Sequence, residues 1–214
     1  GPDNENALAK YQALLERTPE DQQVLERITA IETLAPLQDL PETQTLPEKV
    51  PAYESVFKNL LEAADSKRRD GLPAYLKEAV VKQIEADISR QKEKGQLIPP
   101  EFTSTVLKQF PELNTRIASA QYQILLDQGD RAGAEGSSFY LRALGLDPSG
   151  RPARQKLISA VNKLIGEQDM DSAKSLLLQA IDVRPEDGEL QHLYKSISRM
   201  ARLGSEIDEM LMAA

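Results

Sequence analysis

Apolar residues recur at steps of three and four along most of the chain, as in the run Val80, Val81, Ile84, Ile88. This spacing places them on one side of an α-helix, whereas a half-buried strand would alternate with period two. No stretch longer than a few residues alternates in that way, so the pattern predicts an all-α protein. Prolines and glycines divide it into about eleven helices. These predicted breaks are Pro19, Pro73, Gly95, Pro111, Gly129, Pro148, Gly166 and Pro185.

Several predicted helix starts carry side chains that can cap a helix. The run Thr18-Pro19-Glu20-Asp21 offers a hydroxyl, a proline and two carboxylates where free backbone N–H groups need acceptors. We interpret the neighbouring carboxylates along the chain as caps rather than as acid–base pairs, because catalysis needs convergence in a pocket. These carboxylates are Glu20 with Asp21, Asp169 with Asp171, and Glu186 with Asp187.

A proline-rich segment, residues 36–51, follows the first two predicted helices. Prolines 36, 41, 47 and 51 disfavour helix and favour an extended, semi-rigid conformation. We interpret the segment as a linker, and the alternative is a docking segment that lies along another surface. The predicted division of the chain is an N-terminal hairpin, the acidic linker, an irregular helical section and a repeat region: 1–35, 36–51, 52–110 and 111–214.

Three segments of the sequence can be aligned with one another: residues 11–21, 140–150 and 177–187. Each begins with a large residue that has a small residue four positions before it and a proline eight positions after it. Because the small and large residues share one helix face, a neighbouring helix can approach the small one while the large one fills the gap beside it. In chain order the sets are Ala7, Tyr11 and Pro19; Gly136, Tyr140 and Pro148; and Ala173, Leu177 and Pro185.

This spacing resembles the second-helix signature of the tetratricopeptide (TPR) repeat family, whose units are helical hairpins of about 34 residues. The resemblance covers residues 136–187 best and residues 7–34 next, and it is poor over 52–110. Pro148 and Pro185 are 37 positions apart, so one turn would be longer than the family standard. The resemblance implies an all-α, right-handed α-solenoid of TPR-like hairpins with a less regular helical middle section.

A stack of hairpins needs a final helix that covers its last apolar face. Residues 188–203 are predicted to form that cap, and the apolar stripe continues through Ile207, Met210 and Leu211. The alternative interpretation of this tail is a self-association helix. The inner stripe of the predicted cap is Leu190, Leu193, Tyr194, Ile197 and Met200.

Charge and residue types narrow the classes of function. With 26 basic and 34 acidic side chains the net charge is −8, which disfavours non-specific binding to nucleic acid or anionic lipid. The chain has no cysteine and one histidine, His192, which excludes thiol nucleophiles, disulfides and Cys-based zinc sites. We therefore expect no catalysis, no metal and no cofactor, and we interpret His192 as a surface or packing residue.

The compartment is less constrained. The longest unbroken apolar run, residues 210–214, is far shorter than the roughly 20 residues that cross a bilayer, so no membrane insertion is predicted for this chain. Gly1-Pro2 resembles the scar of a cleaved tag, so we expect the natural N-terminus, together with any signal or anchor, to lie upstream of residue 3. A periplasmic location is favoured over a cytoplasmic one.

The TPR resemblance implies a concave groove, lined by the first helix of each hairpin, that accepts an extended or helical peptide. Basic residues in such a groove suit an acidic peptide or a carboxylate, and amides can bond the peptide backbone. The predicted groove residues are Gln121 from one hairpin, Gln155, Ser159, Asn162 and Lys163 from the next, and Gln191, Lys195 and Arg199 from the cap.

The predicted function is a non-catalytic scaffold or adaptor that binds another protein in a bacterial envelope or secretion assembly. One alternative is a regulatory or sensory domain of a larger membrane-anchored protein, which would bind a small ligand in a pocket between aromatic side chains. A third is a structural module whose N-terminal hairpin docks on another copy, which would give a homodimer. The aromatic residues that would line the ligand pocket are Tyr53, Phe57, Tyr75 and Phe102.

Overall fold

The structure, a computed structural model, describes residues 2–38, 40, 44–66, 74–146 and 151–212. Side chains are described for all of these except residues 2–5, 38, 63–66, 134, 205, 208 and 211. This described part of the chain contains ten α-helices, two short 3-10 helices and no strand. The predicted all-α class is therefore confirmed.

The chain forms two compact units, residues 1–117 and 118–214, a coarser division than the four predicted parts. In the first unit α2 packs on α1, α3 and α4, and α3 also packs on α4 and α5. Its helices are α1 (Pro2–Arg17), α2 (Gln22–Gln38), α3 (Leu46–Ser66), α4 (Ala74–Lys94), α5 (Pro100–Gln109) and a 3-10 helix (Pro111–Leu113), followed by the start of α6 (Asn114–Ala132).

In the second unit α8 packs on α7 and α9, and α9 also packs on α7 and α10. The elements that follow α6 are a 3-10 helix (Gly133–Gly136), α7 (Ser137–Leu146), α8 (Arg151–Gly166), α9 (Met170–Val183) and α10 (Gly188–Met212). Successive helices from α7 to α10 are thus packing neighbours, which brings distant side chains of α7, α8 and α9 to one surface.

Most of the predicted breaks separate helices. Five of the eight, Pro19, Gly95, Pro111, Gly166 and Pro185, lie at or between helix ends, as expected, and Pro73 and Pro148 lie outside the described residues. The break predicted at Gly129 is wrong, because Gly129 lies inside α6. That helix ends at Ala132, and Gly133 next to it has a left-handed backbone with φ of 59°.

The extended conformation predicted for the proline-rich segment 36–51 is also wrong over most of its described length. Pro36 lies in the last turns of α2, and Pro47 and Pro51 lie in α3. Proline is compatible with the first helical turn, and Glu48 accepts hydrogen bonds from the Thr45 backbone N–H at 2.7 Å and from its hydroxyl at 2.9 Å. This capping-box contact starts α3 in spite of its prolines.

Carboxylate capping is confirmed, with the caps at slightly different positions. Asp21 rather than Thr18 caps α2, accepting from the backbone N–H groups of residues 23 and 24, at 3.0 and 3.2 Å. Asp187 caps α10 in the same way, with donors at residues 189 and 190, at 3.1 and 3.2 Å. Asp169 rather than Asp171 caps α9, accepting from the Ser172 N–H at 3.0 Å. The two Pro-Glu-Asp sequences of the predicted repeat therefore form the same turn.

The three repeat copies differ in burial. In the second copy Tyr140 is buried, and in the third Ala173 and Leu177 are buried. In the first copy Leu14 is 46% exposed, although it aligns with the fully buried Ala143. The repeat pattern therefore describes the packing of the second unit and not that of α1.

Candidate functional site: a cleft between α7, α8 and α9

Two glycines let α6 and α7 approach closely. A β-carbon built on Gly136 would overlap the backbone carbonyl of Gly129, and one built on Gly129 would overlap the Tyr140 ring. Backbone therefore packs on backbone at Gly136, while the ring of Tyr140, one turn later, covers Gly129. This is the role that the small–large spacing predicted for the second repeat copy.

The Tyr140 hydroxyl and a lysine of α8 converge on one carboxylate. Tyr140 donates to Asp130 Oδ1 at 2.6 Å, and Lys156 Nζ donates to the same oxygen at 2.6 Å. The Lys156 and Tyr140 hydrogen bonds hold the pKa of Asp130 below its ordinary value. Burial and the neighbouring Asp130 raise the pKa of Tyr140 to about 12. Asp130 thus ties α6, α7 and α8 together at one edge of a surface cleft.

The cleft has a volume of about 320 Å³ and is open to solvent on one side. Apolar atoms of Ala160, Leu164 and Leu176 form part of its wall, and its lining also contains serine and tyrosine hydroxyls and lysine ammonium groups. Its full lining is Gly133, Ser137, Tyr140, Lys156, Ser159, Ala160, Lys163, Leu164, Glu167 and Leu176. A mixed lining of this kind suits one apolar side chain and one polar or charged group of a bound segment.

The two lysines of the cleft, Lys156 and Lys163, differ in the distance to their carboxylate partners. Lys156 is held by Asp130 at 2.6 Å. Lys163 lies 3.8 Å from Glu167, one turn away on the same helix, and both side chains are more than half exposed. An exposed pair at this distance is worth a small fraction of a kcal/mol to about 1 kcal/mol. Lys163 can therefore exchange Glu167 for another carboxylate at little cost.

The structure brings together two of the predicted groove residues in this cleft. Ser159 and Lys163 line it, whereas Gln155 and Asn162 are exposed on α8 outside its lining. Gln121 is half-buried in α6. Among the predicted cap residues, the Gln191 side chain donates to the backbone carbonyl of residue 185, and Lys195 and Arg199 are exposed on α10.

Tyr140, Lys156 and Leu164 are cleft residues that the sequence reasoning did not assign to a site. Lys156 lies three positions before Ser159 and seven before Lys163, a spacing that places all three on one helix face. The spacing alone could therefore have assigned Lys156 to the same site as Ser159 and Lys163. No comparable signal existed for Tyr140, which reaches the cleft only because α7 packs against α8.

A second polar cluster is buried in the first unit. Asp87 is 2% exposed and accepts hydrogen bonds from Tyr53 Oη at 2.6 Å, Lys49 Nζ at 2.9 Å and Arg90 Nη1 at 2.8 Å. Burial, followed by the Asp87 charge, raises the pKa of Tyr53 above its ordinary value. The cavity beside the cluster is about 10 Å³, which is room for about one water molecule. We interpret the cluster as a brace between α3 and α4.

The aromatic side chains that could have lined a ligand pocket pack on one another instead. The Tyr53 ring lies 5.9 Å from that of Phe57 and 5.2 Å from that of Phe102, measured between centroids. Tyr53 and Phe102 are fully buried, Phe57 is 7% exposed, and Tyr75 is half-buried. Three of these rings therefore fill the core of the first unit.

Two further properties bear on the choice of function. In the described part of the chain, no group of three or more histidine and carboxylate side chains is placed to hold a metal ion. Among the described helices, none is both long enough and apolar enough to span a bilayer. His192 is exposed on α10.

Comparison with protein-family models, curated proteins and solved structures finds no match to this chain.

Proposed function

We propose that the chain is a non-catalytic scaffold or adaptor, and that the cleft between α7, α8 and α9 receives a segment of a partner protein. The observation that carries the proposal is the cleft itself, in which Ser159 and Lys163 stand beside the apolar side chains of Leu164 and Leu176. Its volume of about 320 Å³, at the lower end of the roughly 300–1,000 Å³ of ligand pockets, is enough to take one large side chain of a partner.

The chemistry of the cleft favours a partner segment with an apolar residue next to a carboxylate. The apolar residue would lie against Leu164 and Leu176, and the carboxylate would replace Glu167 as the partner of Lys163. A charge-assisted hydrogen bond of this kind is stronger than a neutral one. Ser159 can donate to or accept from the backbone of the bound segment.

A TPR-like solenoid in the second unit is the architectural part of the proposal. It is supported by the sequential packing of α7 to α10 and by the further packing of α7 on α9. A bacterial envelope or secretion assembly is the proposed setting, and it rests on the sequence resemblance alone.

A displayed peptide library tests this function directly. Peptides enriched on the purified chain are synthesised, and their affinity is measured by isothermal titration calorimetry. We expect a consensus in which an acidic residue adjoins a large apolar one. Ser159→Tyr, which fills the cleft, and Lys163→Glu, which reverses its charge, should each weaken binding at least tenfold.

Asn162→Tyr is the matched control, because Asn162 is exposed on the same helix outside the cleft lining. It should change the affinity less than twofold. If no sequence consensus emerges, or if Ser159→Tyr leaves the affinity unchanged, the cleft is not the binding site. If Asn162→Tyr alone abolishes binding, the partner lies on the face first predicted from the sequence.

A further inference from the structure

The first unit has a groove in which a large apolar side chain stays exposed. Among the described residues, four large apolar side chains are more than half exposed: Leu61 of α3, and Ile207, Met210 and Met212 of α10. Met200 of α10 is 46% exposed as well, so the inner position predicted for it is wrong. Leu61, at 52%, lines a groove between two helices, and the other residues of this groove indicate what can cover it.

The groove runs between α3 and α5 and has a volume of about 450 Å³. Phe57 and Leu61 of α3 supply apolar surface, and Phe57, which is only 7% exposed, forms the floor. Lys58 of α3 and Lys108 of α5 also line the groove. Both lysines are exposed, so they form its rim.

Two ring contacts show how α3 and α5 lie along the groove. The Tyr53 ring lies 5.2 Å from that of Phe102, and the Phe57 ring lies 5.6 Å from that of Phe110, measured between centroids. The earlier ring of one segment therefore contacts the earlier ring of the other, and the later contacts the later. The two helices run in the same direction, and their later residues share one end of the groove.

Both lysines lie toward that end. Lys58 follows Phe57 by one position, and Lys108 precedes Phe110 by two. The two ammonium groups are therefore carried by facing walls of the same part of the groove. The only carboxylate in the described lining, Glu54, lies one helical turn before Lys58, toward the other end.

Neither lysine is held by a strong ion pair. Lys58 Nζ lies 3.8 Å from Glu62 Oε1, and these side chains are 77% and 66% exposed, so the pair is weak. Lys108 forms no ion pair within the part of the chain that the structure describes. Two like charges on facing walls repel each other, and an anion bound between them relieves that repulsion. This end of the groove therefore favours an anionic group, although the whole chain carries a net charge of −8.

The dimensions of the groove favour a small molecule over a protein segment. Its α3 wall, residues 54–61, spans seven helical steps, or about 10 Å. Its volume lies within the roughly 300–1,000 Å³ of small-ligand pockets. A stable protein interface buries about 800 Å² on each partner, which is far more than a groove of this length offers.

We propose that the groove between α3 and α5 binds a small carboxylate that carries an apolar tail. The carboxylate lies between the ammonium groups of Lys58 and Lys108, where charge-assisted hydrogen bonds hold it. The tail covers Leu61 and the edge of Phe57 that faces the groove. This site belongs to the first unit, and it does not depend on the cleft between α7, α8 and α9.

Three probes that share one alkyl chain test the proposal: octanoate, octan-1-ol and octylammonium. Each is titrated into the full chain and followed by the backbone amide signals in NMR. We expect octanoate to bind with a dissociation constant on the order of 0.1–1 mM and to shift the signals of residues 54–61 and 104–109. Octan-1-ol should bind about fivefold more weakly, and octylammonium more weakly still, because neither offers a negative charge to the lysines. No binding of octanoate, equal affinity for octanoate and octan-1-ol, or shifts confined to other residues overturns the proposal.

Charge-removing variants locate the carboxylate. Lys58→Gln and Lys108→Gln should each weaken octanoate binding about threefold or more and leave the affinity for octan-1-ol nearly unchanged. Leu61→Asn should weaken the binding of both probes, because both tails lie against this side chain. Lys82→Gln is the matched control, because Lys82 is exposed on α4 outside the groove lining, and it should leave the affinity for octanoate unchanged. If either groove-lysine variant leaves the affinity for octanoate unchanged, or if Lys82→Gln lowers it equally, the proposal is overturned.

Discussion

The backbone carbonyl of Gly129 in α6 occupies the place that a side chain on Gly136, the residue just before α7, would need. The ring of Tyr140 in turn occupies the place that a side chain on Gly129 would need. The position of the Tyr140 ring, which lines the cleft, therefore depends on two residues without side chains. Close packing of this kind leaves no room for even one added methyl group.

Gly136→Ala should accordingly destabilise the second unit by about 1–3 kcal/mol, the usual cost of forcing extra volume into a packed site. The added β-carbon meets backbone, which cannot rotate away, so α7 has to shift relative to α6. The free energy of unfolding, measured by urea denaturation, checks this. Gly166→Ala is the control, because its β-carbon enters open space at the end of α8 and should be neutral or stabilising by up to about 1 kcal/mol. Equal losses for both variants would contradict the packing argument.

The sequence was sufficient for features that depend on local spacing. The all-α class follows from apolar steps of three and four, and the packing roles of Gly136 and Tyr140 follow from their separation by one turn. Proline was misjudged at residues 36, 47 and 51, because tertiary packing and a capping box offset its local cost. Leu37, next to Pro36, is 7% exposed and helps to hold the end of α2 in place.

Features that depend on distant partners were not predictable. Lys49 and Asp87 are 38 positions apart, and nothing in the sequence pairs them. The sequence did indicate that Asp87 is buried. It lies three positions after Ile84, so the helical periodicity places it on the apolar face of α4. The cleft was missed in part for the same reason, because Tyr140 and Leu176 reach α8 from neighbouring helices.

Asp87→Asn should cost about 3–5 kcal/mol, because it leaves the buried Lys49 ammonium without its counter-charge. Tyr53→Phe should cost less, about 1–2 kcal/mol, since it removes one hydrogen bond to a carboxylate. Chemical denaturation of the single variants and of Lys49→Met/Asp87→Leu checks this. The double variant should be more stable than Asp87→Asn, because no unpaired charge stays buried. A double variant that is less stable than Asp87→Asn would contradict the brace.

Stability should also fall at alkaline pH through Tyr140. Its pKa is about 12 in the folded chain and about 10 in the unfolded chain, so the unfolded state loses its proton first as the pH rises. The free energy of unfolding contributed by Tyr140 is therefore complete below pH 10 and is lost between about pH 10 and 12. Tyr140→Phe should flatten this loss in denaturation curves measured at several pH values. An unchanged slope would contradict the Tyr140–Asp130 contact.

The stability of the fold should also fall at acidic pH, through Asp130, the partner of Tyr140 in the same contact. The pKa of Asp130 is lowered in the folded chain by Lys156 and Tyr140, so folding favours its ionised form. Its contribution to stability is present above the ordinary aspartate pKa of about 4 and is lost as the pH falls through the lower folded value. Asp130→Asn should remove this dependence, which denaturation between about pH 2 and 6 would detect. Asp182→Asn, on the exposed surface of α9, is the matched charge-removing control, and an equal change for both variants would contradict the Asp130 assignment.

In the turn between α8 and α9, replacing Gln168 with glycine should increase the stability of the fold. Gln168 has a φ of 62°, in the left-handed region that a side chain disfavours, and its N–H bonds the carbonyl of residue 165 at 3.0 Å. The N–H of Asp169 bonds the carbonyl of residue 164 at 2.9 Å, which completes a helix-ending motif that usually places glycine at this position. Gln168→Gly relieves the strain but adds freedom to the unfolded chain, so the net gain should be about 0.5–1 kcal/mol. Glu167→Gly, one residue earlier, should be neutral or destabilising, because the left-handed backbone is at 168. A loss of stability on Gln168→Gly in thermal or urea denaturation would show that this turn does not hold the left-handed conformation.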